Sequence, residues 1–192
     1  MKSKNPSAKY ISFSSGAVYG SGFSNPVESN SINGIEVNNV SKHDYYGLVR
    51  LNAEAKHRAH TGLNIIDLRV FAYFSQYINL SDGYFITDLL QAIMNKSVLK
   101  TDSNNIVRDY IHPKDLFSII CHCLKLSEFN GAVDIRSSNP VSKNEILSYF
   151  SNEYGLKYKV TESLGKSSAT GAKKRYYSLR NSYSLIKYEP VY

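Results

Sequence analysis

Residues 10–20 have the sequence Tyr-Ile-Ser-Phe-Ser-Ser-Gly-Ala-Val-Tyr-Gly, and this stretch decides the expected fold. Its first six residues alternate in the manner of a β-strand, and small polar residues and glycines follow at once. The sequence therefore predicts a strand that ends at Ser15 and continues into a turn-rich loop. Residues 28–44 are rich in Asn and Ser without a period and are expected to form an exposed connection.

Further along the chain, helical and strand patterns alternate. Helical spacing predicts a helix over 46–60, with Gly62 as its C-terminal cap, and β-branched residues predict a buried strand over 63–71. Three more helices and two short strands are predicted from periodicity, from Pro at a first helical turn and from the capping box Ser142/Glu145. These are helices over 85–94, from Pro113, and from Ser142 to Gly155, and strands at 133–135 and 157–161. Such alternation indicates an α/β fold.

Composition and charge exclude several classes of protein. The 192 residues are 42% hydrophobic, enough for one core, and no apolar run approaches the length of a membrane-spanning helix. With no apolar stretch after the basic N-terminus and only two cysteines, Cys121 and Cys123, the chain is expected to be soluble and cytoplasmic. Successive residues on a helix cannot converge on one ion, so Cys121-His122-Cys123 does not indicate a metal site.

The net charge of +7 is concentrated near the C-terminus. Residues 157–187 contain eight Lys or Arg and one Glu, whereas residues 1–156 contain 15 basic and 14 acidic side chains. A solvated basic loop and a phosphate-binding surface both fit this distribution. A nucleic-acid-binding protein is disfavoured because no recognised motif is present.

Tyr46 and Arg50 lie four residues apart on a predicted helix and therefore share one face. A cation beside a phenol favours the phenolate, the form in which a tyrosine acts as a base. The spacing alone is weak evidence, since 16 Tyr and 23 Lys or Arg predict about two such pairs by chance. Four occur, namely Tyr46/Arg50, Tyr110/Lys114, Tyr176/Arg180 and Tyr183/Lys187, and the last three are interpreted as chance.

Several collinear motifs resemble one family. Ser14-Ser-Gly-Ala-Val-Tyr-Gly20 is followed by Tyr46-Gly-Leu-Val-Arg50, by Leu68-Arg-Val-Phe71 and by Arg108-Asp-Tyr-Ile-His-Pro-Lys-Asp-Leu116. This order resembles the NAD-dependent epimerases and dehydratases of nucleotide sugars, which are extended short-chain dehydrogenases/reductases. The resemblance runs from about residue 9 to the C-terminus and implies part of a Rossmann-type parallel sheet with a small C-terminal α/β substrate lobe.

The resemblance also implies roles for individual residues. Ser15 would hydrogen-bond the hydroxyl or keto oxygen of the sugar, and Tyr46 would exchange the proton as hydride moves to or from NAD. Arg50 stands where the family has a lysine that contacts the nicotinamide ribose, and Phe71 would lie on the cofactor side. Arg108 would contact the diphosphate of the nucleotide sugar, a task that suits its fork of donors.

Three departures from the family pattern qualify this picture. Arg50 replaces the lysine, and Ala72 stands where the family often has an asparagine. Neither G-x-G-x-x-G nor G-x-x-G-x-x-G occurs in the sequence, although a dinucleotide site of this fold needs such a turn. We therefore expect the C-terminal portion of such a protein, without the Gly-rich half. Residues 1–78 would be the remnant of the Rossmann-type domain and residues 79–192 the mixed core and substrate lobe, within one globular unit.

Two hypotheses of function stay open. The first is an epimerase or dehydratase, serving nucleotide-sugar modification for cell-surface polysaccharide, that needs a partner chain for its cofactor-binding half. The second is a non-catalytic nucleotide-sugar-binding or interaction module. In the family, the strand at 10–15 lies between the strand at 63–72 and one from the absent half, so its exposed edge predicts a homodimer or a partner protein.

Overall fold

The computed structural model describes residues 5, 7–20, 22–32, 35–161 and 173–192. Its strands are β1 (Lys9–Ser15), β2 (Asn64–Val70), β3 (Ala72–Tyr73), β4 (Val98–Thr101), β5 (Val107–Arg108), β6 (Tyr110–Ile111), β7 (Asn130–Ile135), β8 (Val141–Ser142), β9 (Lys157–Val160) and β10 (Arg175–Tyr176). The α-helices are α1 (Tyr45–Ala59), α2 (Phe85–Met94), α3 (Pro113–Lys125) and α4 (Lys143–Tyr154). Short 3₁₀ turns lie at Gly16–Tyr19, Val37–Asn39, Leu80–Asp82 and Ser182–Leu185.

The main sheet has the order β1-β2-β7, and all of its strands are parallel. Ser15, at the end of β1, is paired with Val70, which is paired in turn with Ile135. The carboxyl ends of the three strands therefore lie along one edge of the sheet. In open α/β sheets this edge is where ligands bind.

The two faces of the sheet differ in chemistry. On one face, Ile66 and Leu68 of β2 join Ile119 and Cys123 of α3 in a fully buried apolar cluster. On the other face, beneath α1, β2 presents Arg69, which pairs with a carboxylate of the helix. The apolar face supplies the core, and α1 is attached through buried polar contacts.

A second apolar cluster forms the smaller part of the fold. It joins α2 and α4 to Leu99 of β4, and β4 pairs in parallel with β9. A small sheet of order β10-β5-β8 connects this part to the C-terminal segment, so that Tyr176 is paired with Arg108. The expected α/β architecture with a partial Rossmann-like sheet is confirmed. The division at residue 78 stays a prediction.

Most predicted elements are present, with one wrong cap. The strand at β1, the four helices and the strand at 157–160 all form, and the Ser142/Glu145 capping box and the left-handed Gly155 cap of α4 are confirmed. Gly62, however, does not cap α1. The helix ends at Ala59 and is capped by His60, whose backbone N–H bonds to the His57 carbonyl in a tighter turn. Among the described helices, none is long and apolar enough to cross a membrane.

Candidate active site

Ser15 begins the candidate site at the carboxyl end of β1. Its side chain caps the 3₁₀ turn at Gly16–Tyr19, since its Oγ accepts a hydrogen bond of 3.2 Å from the backbone N–H of Ala17. Gly16 follows because a Cβ there would lie only 2.3 Å from the Phe71 ring. The sequence Ser-Gly thus combines a cap with a close approach between two strand ends.

Tyr46 and Arg50 stand on the first turns of α1, on the face that the sequence predicted. The Arg50 guanidinium carbon lies 5.2 Å from the centre of the Tyr46 ring, and Arg50 Nη1 donates to the Phe13 carbonyl of β1 at 3.1 Å. Tyr46 is half-exposed, whereas Arg50 Nε is buried without a hydrogen-bond partner among the described residues. The pair therefore places a cation beside an accessible phenol, with one donor of that cation unused.

Tyr176, which was predicted to have no role at the site, lies beside Ser15 and close enough to Tyr46 for the two phenols to interact electrostatically. Its hydroxyl is 3.0 Å from Ser15 Oγ, and it is only 5% exposed. Burial raises the pKa of the Tyr176 phenol to about 12. The neighbouring Tyr46 contributes to that rise, whereas Ser15 and Arg108 act in the opposite direction. Tyr176 therefore stays protonated at neutral pH and lies close to four of the predicted site residues, Ser15, Tyr46, Phe71 and Arg108.

Two cations lie over the Tyr176 ring. The guanidinium carbon of Arg108 is 5.9 Å from the ring centre, and Lys173 Nζ is 4.3 Å from it. Burial lowers the pKa of Arg108, which is 4% exposed. Burial, followed by repulsion from Arg108, lowers the pKa of Lys173 to about 8, although Asp44 offsets part of the effect. Adjacent, partly desolvated cations of this kind suit a ligand with more than one negative charge.

Phe71 occupies a buried position beside this group. Its ring packs against Tyr176 and Phe23, with centroid distances of 5.1 and 6.3 Å, and it covers Gly16. The structure thus shows Phe71 as a wall of the site whose ring is engaged by other aromatic rings. Its predicted contact with the cofactor stays a proposal.

The chemistry open to this arrangement follows from its parts. A serine hydroxyl and an accessible phenol with an adjacent cation can exchange and orient a proton on a ligand oxygen. Arg108 and Lys173 lie over the ring of Tyr176, whose hydroxyl neighbours Ser15, and they can bind an anionic group of the same ligand. The other three Tyr/basic pairs do not share this arrangement, because none of them lies within a single described helix.

A buried polar network behind the site was not predicted from the sequence. Glu54 of α1 accepts from the Ser14 hydroxyl and from Arg69, and Arg69 also reaches Tyr19 and Asp134. These side chains tie α1 to β1, β2 and β7. The only signal was the occurrence of charged residues within strand patterns, which does not identify their partners.

The basic C-terminal segment is divided between the interior and the surface. Lys173 lies over Tyr176, and Arg180 donates to the Tyr19 hydroxyl at 2.9 Å. The remaining described basic residues of 157–187 are exposed, and Lys166 lies outside the described residues. The position of Lys173 fits the interpretation of this segment as a phosphate-binding surface. The exposed basic residues fit its interpretation as a solvated basic loop.

Comparison with known proteins identifies the family. The sequence matches the profile of the NAD dependent epimerase/dehydratase family over residues 1–135, which is more than two thirds of its length. The chain belongs to this family. A comparison with curated protein sequences finds no significant match.

Solved structures of epimerases and dehydratases share the fold. UDP-glucuronic acid 4-epimerase from Bacillus cereus, in complex with UDP-glucuronic acid and NAD, superposes with a TM-score of 0.74 at 18% identity, covering 96% of this chain and 57% of that one. dTDP-glucose 4,6-dehydratase from Bacillus anthracis, in complex with NAD, gives 0.72 at 18%, covering 100% and 59%. UDP-N-acetylglucosamine 4-epimerase from Methanobrevibacter ruminantium gives 0.69 at 20%, covering 95% and 57%. The chain thus spans less than three fifths of the length of these family members.

Proposed function

We propose that this chain forms the substrate-binding and proton-exchanging part of an NAD-dependent nucleotide-sugar epimerase or dehydratase. One observation carries the proposal: Ser15 from a strand end, Tyr46 from a helix and Arg108 from a different sheet gather around Tyr176, and Arg50 stands beside Tyr46. These groups match the requirements of a sugar that reacts at one end and carries a diphosphate at the other. Family membership supports the same assignment.

The anionic end of the ligand would lie against Arg108. A guanidinium binds phosphate oxygens through two parallel hydrogen bonds, and Lys173 adds a second positive charge near the same ring. The repulsion between these two cations is relieved when a diphosphate lies between them. The pair therefore favours a nucleoside diphosphate over a neutral sugar.

The reacting end of the sugar would lie between Ser15 and Tyr46. Ser15 binds the sugar oxygen, and Tyr46 takes up or returns the proton of that oxygen, with the positive charge of Arg50 favouring the phenolate during the exchange. Phe71 and Phe23 close the inner side of the site with apolar surface.

The residues present fit the nicotinamide-ribose side of NAD. Arg50 Nε is a buried donor without a partner in the described part of the chain, at the position where the family lysine contacts the ribose. When bound, NAD supplies a hydride acceptor and donor. Contacts to its pyrophosphate would come from residues beyond this sequence, since the Gly-rich spacing does not occur in it.

An open sheet edge suggests how such residues would be attached. One edge of β1 pairs with β2, and no described strand pairs with the opposite edge. Two large side chains of the same strand, Tyr10 and Phe13, are half-exposed. Arg50 binds one carbonyl of this edge. A parallel strand from a nucleotide-binding half, on a partner chain or elsewhere in the same protein, would complete the sheet.

A second candidate function is a nucleotide-sugar-binding module without catalysis. The replacement of the family lysine by Arg50 favours it, since a planar fork donates to ribose hydroxyls with a geometry that differs from that of an ammonium group. Both candidate functions require binding of a nucleotide sugar, but only the first includes its chemical conversion. Under the first, the ligand would belong to the nucleotide-sugar supply for cell-surface polysaccharide.

Calorimetric titration of the chain with UDP-glucose, dTDP-glucose and free glucose tests the proposal. We expect both nucleotide sugars, or one of them, to bind and free glucose not to bind. Arg108→Met should weaken the binding by about tenfold or more, because a charge-assisted contact to phosphate is lost. Lys157→Met, which removes an exposed charge from β9, serves as the matched control and should leave the affinity unchanged. Equal binding by the two variants would overturn the proposal.

A further inference from the structure

The oxygen of the Ser15 side chain has two close neighbours in the protein itself. The Ala17 backbone N–H donates to it at 3.2 Å, and the Tyr176 hydroxyl lies 3.0 Å away. A hydroxyl group can accept two hydrogen bonds and donate one. The direction of the bond between Ser15 and Tyr176 therefore decides whether the Ser15 proton remains available to a ligand.

Burial of Tyr176 fixes that direction. Its phenol is protonated at neutral pH, and in the described part of the chain no oxygen other than Ser15 Oγ lies in position to accept its proton. If Ser15 were the donor, the Tyr176 proton would be buried without an acceptor, an arrangement that folded proteins avoid. Tyr176 is therefore the donor and Ser15 the acceptor.

We propose that Tyr176 is a positioning residue: it occupies the second lone pair of Ser15, so that the Ser15 hydroxyl faces the ligand purely as a hydrogen-bond donor. This inference rests on the proposed function and specifies how the sugar is bound. A keto oxygen can accept from Ser15 directly. A sugar hydroxyl that accepts from Ser15 must send its own proton elsewhere, and the neighbouring phenol of Tyr46 is the group placed to receive it.

The ring of Tyr176 is held firmly enough for this role. It packs edge-on against Phe23 with a centroid distance of 4.7 Å, and Lys173 covers its face at 4.3 Å. Its backbone is paired with Arg108 between β10 and β5. The C-terminal segment thereby places the Tyr176 hydroxyl at the end of β1. The same strand pairing holds Arg108, the residue that would bind the diphosphate.

The hydrogen bond is tested without a ligand by labelling tyrosine with carbon-13 at Cζ in a mixture of H₂O and D₂O. A hydroxyl that exchanges slowly gives two Cζ resonances, and we expect this pair for Tyr176, identified by its loss in Tyr176→Phe. The pair should collapse in Ser15→Ala and persist in Tyr177→Phe, the matched control, since Tyr177 is buried next to it. A single Tyr176 resonance in the unchanged chain, or a pair that survives Ser15→Ala, would overturn the inference.

Ligand binding supplies the second readout. In calorimetric titrations with UDP, UDP-glucose and a UDP-4-keto sugar, Tyr176→Phe should weaken binding of both sugar nucleotides by about 3- to 10-fold, the worth of one oriented hydrogen bond. Binding of UDP should not change. Equal losses for all three ligands, or none, would overturn the positioning role. If the protein without substitutions binds none of the three ligands, the proposed function is wrong. The pair of Tyr176 Cζ resonances still tests, independently of any ligand, whether Tyr176 donates its proton to Ser15.

Discussion

Gly47 and Ala17 approach each other so closely that a Cβ on Gly47 would lie 2.3 Å from the Ala17 carbonyl oxygen. This approach seats the first turn of α1 directly on the 3₁₀ turn that follows Ser15. Tyr46, the residue before Gly47, is thereby brought to the end of β1. The relationship explains why a residue without a side chain follows the tyrosine here.

Substitution of Gly47 by Ala should therefore destabilise the protein and separate α1 from the turn. Because the obstacle is a backbone oxygen, we expect a loss of about 1–3 kcal/mol in the free energy of unfolding, measured by urea denaturation. Gly22→Ala is the control, since a Cβ at Gly22 meets nothing within 4 Å. Equal denaturation midpoints for both variants would contradict this account of the turn.

The dependence of stability on pH should reveal Lys173. Burial lowers its pKa from 10.5 to about 8 in the folded protein. The unfolded chain therefore binds more protons than the folded one between these values, and this residue makes stability rise with pH across that window. Lys173→Met should remove that rise, whereas Lys157→Met should retain it. Parallel stability profiles for the two variants, measured by urea denaturation, would contradict the burial of the Lys173 amine.

NAD should bind to the isolated chain weakly. Only Tyr46, Arg50 and their surroundings are present to contact it, and the spacing that binds the pyrophosphate does not occur in the sequence. We expect a dissociation constant in the millimolar range or no measurable binding by calorimetry. Low-micromolar binding would show that this chain supplies a complete dinucleotide site by other means.

The unpaired edge of β1 should promote association. Light scattering at micromolar concentration is expected to show dimers or larger species, and Phe13→Lys should shift the population toward monomer. Met94→Lys on α2 is the control, since Met94 is also exposed but α2 packs in the second apolar cluster, which contains no described residue of β1. A monomeric chain whose amides at 10–15 are strongly protected from hydrogen exchange would mean that the chain itself covers the edge.

Much of the fold could be predicted because its main elements depend on local patterns. The helix at 85–94 has a strong apolar stripe and its predicted bounds agree with the structure, and the capping box of α4 is complete within four residues. The two-residue strands β5, β8 and β10 carry no such pattern. They are strands only because distant segments pair there, which depends on tertiary structure.

The residues of the candidate site could be predicted where they lie within family motifs, but not elsewhere in the sequence. Ser15 and the Tyr46/Arg50 pair lie in recognisable stretches of sequence. Tyr176 does not, and its spacing from Arg180 suggested a chance pair. Its partner Ser15 is 161 residues away, and a contact across that distance leaves no periodic signal. The pairing of Glu54 with Arg69 was not predicted for the same reason, since the two charges meet only in the folded chain.

The location of a bound nucleotide sugar tests the central claim most directly. Amide chemical shifts of the nitrogen-15-labelled chain should be recorded while UDP-glucose is added. We predict that the largest changes fall at residues 15–17 beside Ser15, at Arg108 and at Tyr176, with little change at 157–160 on β9. Changes confined to the exposed basic residues of β9, with none at Ser15 or Arg108, would contradict the proposal that these residues form one nucleotide-sugar site.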